Sequence, residues 1–393
     1  MVNAYAEKRG TARSSIRELF AYGKQRIQEV GVDGICDFSL GNPATPPPQE
    51  VQTTLERILA EENPMAVHGY TAAEGAYETR DAIAKSVERR FGMHVTAGDF
   101  FMTAGAAPAL TAVFAALTID EETNFIALAP YFPEYQVFSH VWGASLKVVE
   151  PTYPDFQIDF ASLENAIDQH TQGVVVNSPN NPSGVVYTKK TLEGLAEILT
   201  RKSQEYGHPI YIICDEPYRE LAYDKEVPYI PGIYGNTIVC YSYSKTLSLP
   251  GDRIGYVMVS PTAMENEKVM HAIAGAARCI GHVCAPSTYQ ALVRECVDVK
   301  PDLAFYDRNR RLLYENLTQM GYECAYPDGA FYLMVKAPIG DGDTFSQMAK
   351  EKDLLVVPCS SFGCPGYVRV AYCVAEDVIH RALPIFRELI QKA

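Results

Sequence analysis

Three short apolar runs each lead to a side chain able to do chemistry. "GVVVNSPNNPSG" runs into Asn181, the apolar part of "IYIICDEPY" stops at Asp215, and "TIVCYSYSK" ends on Lys245. In open α/β sheets ligands sit beyond the carboxyl ends of the strands, so polar residues in these places are the first to inspect. Each has a plain structural explanation alone: Asn-Pro-Ser-Gly forms turns, Asp caps helices at strand-to-helix junctions, and most lysines are solvated. Together they point to catalysis. A lysine at the end of a buried strand loses solvation, and its pKa falls from about 10.4 toward neutrality, leaving an amine that attacks carbonyls. Arg253, just after a Pro-Gly turn, is a fixed cation that depresses the lysine further and suits the forked grip of a phosphate. Ser242 and Ser244 offer hydroxyls to the same oxygens.

A second phosphate element lies upstream in "TAGAAPALTAVFAAL" (103–117). Gly105 precedes an apolar helix with Pro108 in its first turn, so the amides of Ala106 and Ala107 point at an anion with the helix dipole behind them. The alternative is a small-residue helix start packed closely on the sheet. An aldehyde for Lys245, a phosphate for Arg253 and the helix amides, and a ring nitrogen for Asp215 together describe pyridoxal phosphate. Asp215 then keeps the ring nitrogen protonated, which lets the ring accept electrons from a carbanion.

These residues need a scaffold of buried strands, and the chain supplies one. "FIALA", "LKVVE", "GVVVNS", "IYIICD", "TIVCYS" and "IGYVMVS" are short, nearly continuous apolar runs separated by helical stretches. Such runs predict strands buried on both faces, hence an α/β fold with a mostly parallel central sheet covered by helices. The expected large domain spans residues 51–295. Before it, "SSIRELFAYGKQRIQEVG" (14–31) reads as a helix capped by Ser14 or Ser15 and stopped by Gly31, followed by the strand "ICDFSL" and the Pro-rich "GNPATPPP". After it, residues 296–393 alternate helices with the strands "GAFYLMVKA", "LLVVPC" and "YVRVAYC". Residues 1–50 and 296–393 are therefore expected to form a smaller α+β domain.

Composition excludes several classes. With 34 basic and 48 acidic residues the net charge is −14, and no Lys/Arg cluster marks a nucleic-acid footprint. The longest apolar stretch contains Pro108 and falls short of the roughly 20 residues that a membrane span needs. The N-terminus lacks the apolar core of a signal peptide, so a cytoplasmic protein is expected. The ten cysteines form no Cys-x-x-Cys pair. They read as free, mostly buried thiols with no metal site.

The ordered series "LGNP", "YTAAEG", "TAGAAPAL", "SPNNPSG", "DEPY", "SYSKTLSLPGDRIGY", "GAFY" and "VRVAY" covers nearly the whole chain. It resembles the fold-type I pyridoxal-phosphate enzymes, the class I/II aminotransferases of the aspartate aminotransferase type. The resemblance implies that Lys245 holds the cofactor covalently and later moves the proton. Asp215 pairs with the pyridine nitrogen, while Asn181 and Tyr218 hydrogen-bond the phenolic oxygen. Gly105, Ala106, Ala107, Ser242, Ser244 and Arg253 match the phosphate cup, and Phe132 in "PYFPEY" matches the aromatic ring stacked on the cofactor. Arg369 corresponds to the arginine that clamps the substrate α-carboxylate, with the Gly41 backbone and Asn181 nearby. Tyr70 matches a tyrosine that reaches the phosphate of the neighbouring subunit, implying a homodimer.

Two departures stand out: Cys359 where many members have glycine, and Ala106 and Ala107 where relatives often carry side chains able to add contacts. The expected activity is amino-group transfer between an L-amino acid and a 2-oxo acid. A β-lyase of the cysteine-S-conjugate or cystathionine type needs the same Lys, Asp and Arg, and a non-catalytic ligand-sensing regulator is the alternative from another class. The resemblance implies that a dicarboxylate substrate would need a second cation for its distal carboxylate, often from the partner subunit, and the sequence does not single one out among the remaining arginines, Arg278 included.

Overall fold

Seven strands rich in β-branched and aromatic residues build the sheet that carries the three chemical side chains. The structure is a computed structural model describing residues 1–12 and 14–392. A short β1 (Cys36–Asp37) precedes the central sheet, which comprises β2 (Phe100–Thr103), β3 (Asn124–Leu128), β4 (Ser145–Val149), β5 (Thr171–Val176), β6 (Tyr211–Asp215), β7 (Thr237–Ser242) and β8 (Gly255–Val259). Their order is β2-β8-β7-β6-β5-β3-β4. From β7 to β4 every neighbour is parallel, whereas β8 runs antiparallel to both β7 and β2.

The parallel strands are apolar throughout because both faces are covered. Val174 and Val176 of β5 join one apolar cluster and Val175 the other; Ile212 and Cys214 of β6 likewise oppose Tyr211 and Ile213. A single substitution by a charged residue on either face would therefore face a core rather than solvent. Seven of the ten cysteines are buried, and all ten are free.

The C-terminal part adds β9 (Tyr332–Lys336), β10 (Leu354–Leu355), β11 (Val357–Pro358) and β12 (Tyr367–Ala371). β12 lies between β11 and β9, antiparallel to both, and β10 pairs in parallel with β1. A third apolar cluster joins Phe38, Tyr306, Leu333, Val370 and Phe386. The N-terminal helix Ser15–Val30 begins where Ser14 accepts a hydrogen bond from the Arg17 amide, and it stops at Gly31 with φ 80°.

The mostly parallel α/β sheet expected from the sequence is present, with two differences in detail. β2 gives no separate signal, because its four residues run directly into Gly105 and the apolar helix Ala106–Leu117. "LLVVPC" reads as one strand but divides at Val356, its halves pairing with different partners. Among the described residues no helix is long and apolar enough to cross a membrane.

Candidate active site

β5, β6 and β7 end side by side, which puts Asp215, Lys245 and the loop carrying Asn181 at one edge of the sheet. Beyond β7, Ser242 caps the one-turn helix Tyr243–Thr246 by accepting from the Ser244 amide. That turn presents Lys245, whose Nζ donates to the Gly41 carbonyl at 2.7 Å. Burial pulls the Lys245 pKa down to about 8, opposed by the nearby Cys373 thiol and reinforced by the Arg253 and Arg369 cations. The lack of a side chain at Gly41 makes room for Tyr332, whose hydroxyl a Cβ there would overlap.

Asp215 is buried, and its Oδ2 accepts from the Tyr135 hydroxyl at 2.5 Å. Its Oδ1 has no hydrogen-bond partner. Burial pushes the carboxyl up to about 7; the Tyr135 hydrogen bond works against this and the adjacent Glu216 with it. Buried polar atoms are nearly always paired, so an orphaned carboxylate oxygen on a residue that lines a cavity marks a place for a donor. Asn177 fixes the backbone around it: its Nδ2 donates to the Asp215 carbonyl at 2.7 Å, and its Oδ1 accepts from the Asn181 amide at 2.7 Å.

Arg369 occupies the middle of β12, opposite Met334 of β9 and Val357 of β11. It is almost wholly buried, donating through Nη1 to Asn181 Oδ1 at 3.0 Å and through Nη2 to the Ser39 carbonyl at 2.6 Å. Its Nε is unpaired, and its guanidinium lies 4.6 Å from the centre of the Tyr332 ring. Tyr332 also shares a 2.9 Å hydroxyl contact with Tyr218. Burial pushes Tyr332 up to about 12 and Tyr218 well above the ordinary phenol range, so both stay neutral.

A second group gathers at the start of the helix Ala106–Leu117. Gly105 caps it with φ 92° and no side-chain bond, which leaves its first amides free of a side-chain acceptor. A Cβ on Gly105 would come within 2.5 Å of Arg253 Nη2. Arg253 donates to Ser244 Oγ at 3.3 Å and to the Pro250 carbonyl at 2.8 Å, and the Ser242 and Ser244 hydroxyls are 2.7 Å apart. Cationic and hydroxyl groups thus converge on a helix N-terminus, an arrangement suited to an anion.

A cavity of about 270 Å³ is lined by Lys245, Asp215, Asn181, Tyr218, Arg369, Gly41, Phe132, Ala106 and Ala107, all singled out in the sequence. Gly105, Ser242, Ser244 and Arg253 cluster at the helix start that supplies Ala106. Tyr70 does not line the cavity and is 89% exposed. Tyr135, Asn177 and Tyr332 carry no signal as site residues in the sequence, although each lies within a quoted stretch; tyrosine is too common in this chain for one position to stand out. Ile16, Leu40, Leu110 and Phe138 complete much of the wall, and only tertiary packing brings them there.

A lysine, a carboxylate and an arginine around one cavity at the ends of parallel strands define an α/β enzyme for amines and carboxylic acids. The family model "Aminotransferase class I and II" matches residues 33–385, and the chain belongs to that family. Among curated relatives, the aspartate aminotransferase of Thermotoga maritima is 30% identical over 94% of each chain. The aspartate/prephenate aminotransferase of Thermus thermophilus is 30% identical over 93% of this chain and 94% of its own. Among solved structures, an amino transferase from Eubacterium rectale is 48% identical, with a TM-score of 0.98 over 100% of this chain and 99% of that one. The aspartate aminotransferase of Thermus thermophilus with maleate has a TM-score of 0.87 at 27% identity, covering 99% and 100%. None of these names favours the β-lyase or the regulator.

Proposed function

We propose that this chain moves the amino group of an L-amino acid to a 2-oxo acid with pyridoxal phosphate as cofactor. The observation that carries the reading is the unpaired Oδ1 of Asp215, a residue that lines one cavity together with an amine of lowered pKa and a buried arginine. These residues fit the cofactor: Asp215 Oδ1 lacks a donor, and the Gly105 cradle beside Arg253 has no space for a side chain. When bound, pyridoxal phosphate supplies an aldehyde for amines and a ring that accepts electrons from the substrate Cα.

The protein's own part is binding, orientation and proton movement. With the cofactor bound, Asp215 would accept from the ring nitrogen and hold its proton, Asn181 and Tyr218 would hydrogen-bond the phenolic oxygen, and Phe132 would pack on the ring. The amides of Ala106 and Ala107, with Ser242, Ser244 and Arg253, would hold its phosphate. Arg369 binds the substrate carboxylate as a charge-assisted pair and so fixes the direction of the Cα–H bond. Neutral Lys245 takes the Cα proton as general base and returns it one position away, and a pKa near the working pH suits both halves of that task. Two lobes, residues 51–295 and residues 1–50 with 296–393, belong to the same reading, supported by the β1–β10 pairing and the third apolar cluster. A homodimer is also part of it, with the exposed Tyr70 reaching the partner's phosphate site.

Borohydride reduction of the holoenzyme should attach the cofactor to Lys245, read by peptide mass spectrometry; attachment to another lysine sinks the assignment. Product analysis separates the chemistries. Oxo acid released in proportion to an added amino acceptor supports transfer, whereas pyruvate and ammonia released without an acceptor would indicate a lyase.

A further inference from the structure

The turn that carries Lys245 is anchored by groups outside the cavity. A helix of four residues, Tyr243–Thr246, makes too few backbone bonds to hold itself, so its position depends on side chains at its ends. At its start Ser242 accepts from the Ser244 amide. At its end the buried Thr246 donates through Oγ1 to Glu220 Oε2 at 3.0 Å. Successive side chains on a helical turn diverge by about 100°, so Lys245 and Thr246 meet different surroundings. Lys245 lines the cavity and Thr246 does not.

Glu220 is where several elements join. Its Oε2 also accepts from the Tyr241 hydroxyl at 2.7 Å, and its Oε1 accepts from Arg90 Nη2 at 2.6 Å. The Glu220 side chain is largely buried, and both oxygens are engaged, as a desolvated charge requires. Burial, and next the Glu220 charge, push the Tyr241 phenol well above its ordinary range, so it keeps its proton for the carboxylate. Tyr241, in β7, is itself fixed: its ring stacks on Tyr256 of β8 and meets Tyr243 edge-on, each with centroids 5.0 Å apart. Arg90 comes from the last turn of the helix Tyr77–Phe91 and lies over the Phe91 ring. Glu220 follows β6 on the segment that also presents Asp215 and Tyr218 to the cavity. Its bond to Thr246 therefore ties that segment to the turn bearing the amine.

We infer that Glu220 is a positioning residue for Lys245: by accepting from Thr246 and Tyr241 it fixes the turn from which the amine reaches the substrate Cα proton. This rests on the transferase reading above. A general base must sit within hydrogen-bond reach of its proton, and a displacement on the order of 1 Å costs about a hundredfold in rate. A carboxylate suits the task because it accepts at both oxygens. Glutamine in its place turns an amide NH2 toward either Arg90 or the two hydroxyls, all of them donors.

Three variants test this: Glu220→Gln, Thr246→Val, which keeps the shape and removes the hydroxyl, and Thr246→Ser, which keeps the hydroxyl. The first readout is hydrogen exchange of the apoenzyme by mass spectrometry. Peptides spanning residues 243–249 should exchange about tenfold faster in Glu220→Gln and Thr246→Val, while peptides from β3 and β5 stay unchanged. The second is the amino-acid half-reaction of the holoenzyme with whichever common L-amino acid the unaltered enzyme converts fastest. Its limiting rate should fall about ten- to a hundredfold in both variants, with the half-saturating concentration within about twofold because Arg369 is untouched. Deuterium at Cα should slow these variants more than the unaltered enzyme, and Thr246→Ser should behave as the unaltered enzyme in every readout. Unchanged exchange or an unchanged limiting rate in Thr246→Val overturns the positioning role, as does a loss confined to the half-saturating concentration. Faster exchange throughout the chain in Glu220→Gln and Thr246→Val alike overturns it too, since the effect is then general instability. If the unaltered holoenzyme converts no amino acid, the transferase reading falls and the role in proton transfer with it; the apoenzyme exchange pattern, which needs no substrate, separates that case from failure of the anchor.

Discussion

Two titrating side chains with opposite shifts govern the residue scale. Lys245 is pulled down to about 8 by burial, so the share of neutral amine rises with pH through that value and is constant above it. Capture of pyridoxal phosphate by the apoenzyme should therefore accelerate with a midpoint near pH 8; a midpoint near 10.4, the ordinary lysine value, would mean the amine is not desolvated. Asp215 is raised to about 7, so the folded apoenzyme retains a proton that the unfolded chain releases near 4. Stability contributed by that proton is present below about 4 and lost as pH rises to about 7, on the order of 4 kcal/mol by linkage. Thermal unfolding of the apoenzyme should thus fall across this window relative to Asp215→Asn; parallel pH curves for the two proteins would contradict it. Tyr135 works in the other direction by donating to the ionised carboxylate. Tyr135→Phe removes a hydrogen bond to a charged group, of about 1.5 to 3 kcal/mol, and should weaken cofactor binding by about tenfold to a hundredfold. The same variant should raise the apparent pKa of Asp215, a change that mere loss of packing would not produce.

At the scale of elements, the start of the helix Ala106–Leu117 is where backbone conformation and ligand chemistry meet. Gly105 has φ 92°, and its Cα lies 3.0 Å from the site of a Cβ on Gly255 in β8, so both glycines serve close packing of the helix start on the sheet. Gly105→Ala should lower apoenzyme stability by about 1 to 3 kcal/mol through backbone strain. It should also weaken phosphate binding, because the added methyl displaces Arg253. Urea unfolding and competition by inorganic phosphate measure the two effects separately; normal phosphate competition in a folded variant would count against the cradle. These elements were unevenly legible. The helix start announced itself by Gly105 and Pro108, and the parallel strands by unbroken apolar runs. β2 merged with the helix after it, and "LLVVPC" concealed a division that depends on β1 and β12, more than 300 and about ten residues away respectively.

For the whole molecule, the exposed Tyr70 and the proposed homodimer make a prediction that a single chain cannot satisfy. Lys245→Ala and Tyr70→Ala chains, each impaired alone, should recover activity when refolded together, because one site of the mixed dimer then has both residues intact. No recovery in mixtures shown by mass to contain the heterodimer would refute a role for Tyr70 across the interface. The sequence by itself determined the alternation of apolar strands and helices, and with it the residues that strand ends present: Asn181, Asp215 and Lys245. Those positions follow from local periodicity and from the rule that ligands sit at the carboxyl ends of parallel strands. Tertiary structure alone decided which groups complete them. Tyr135 reaches Asp215 across 80 positions, Arg369 reaches Ser39 across 330, and Lys245 reaches Gly41 across 204. No local pattern encodes such contacts, since they arise when separate elements bury their apolar faces against one another and bring distant polar groups within hydrogen-bonding distance.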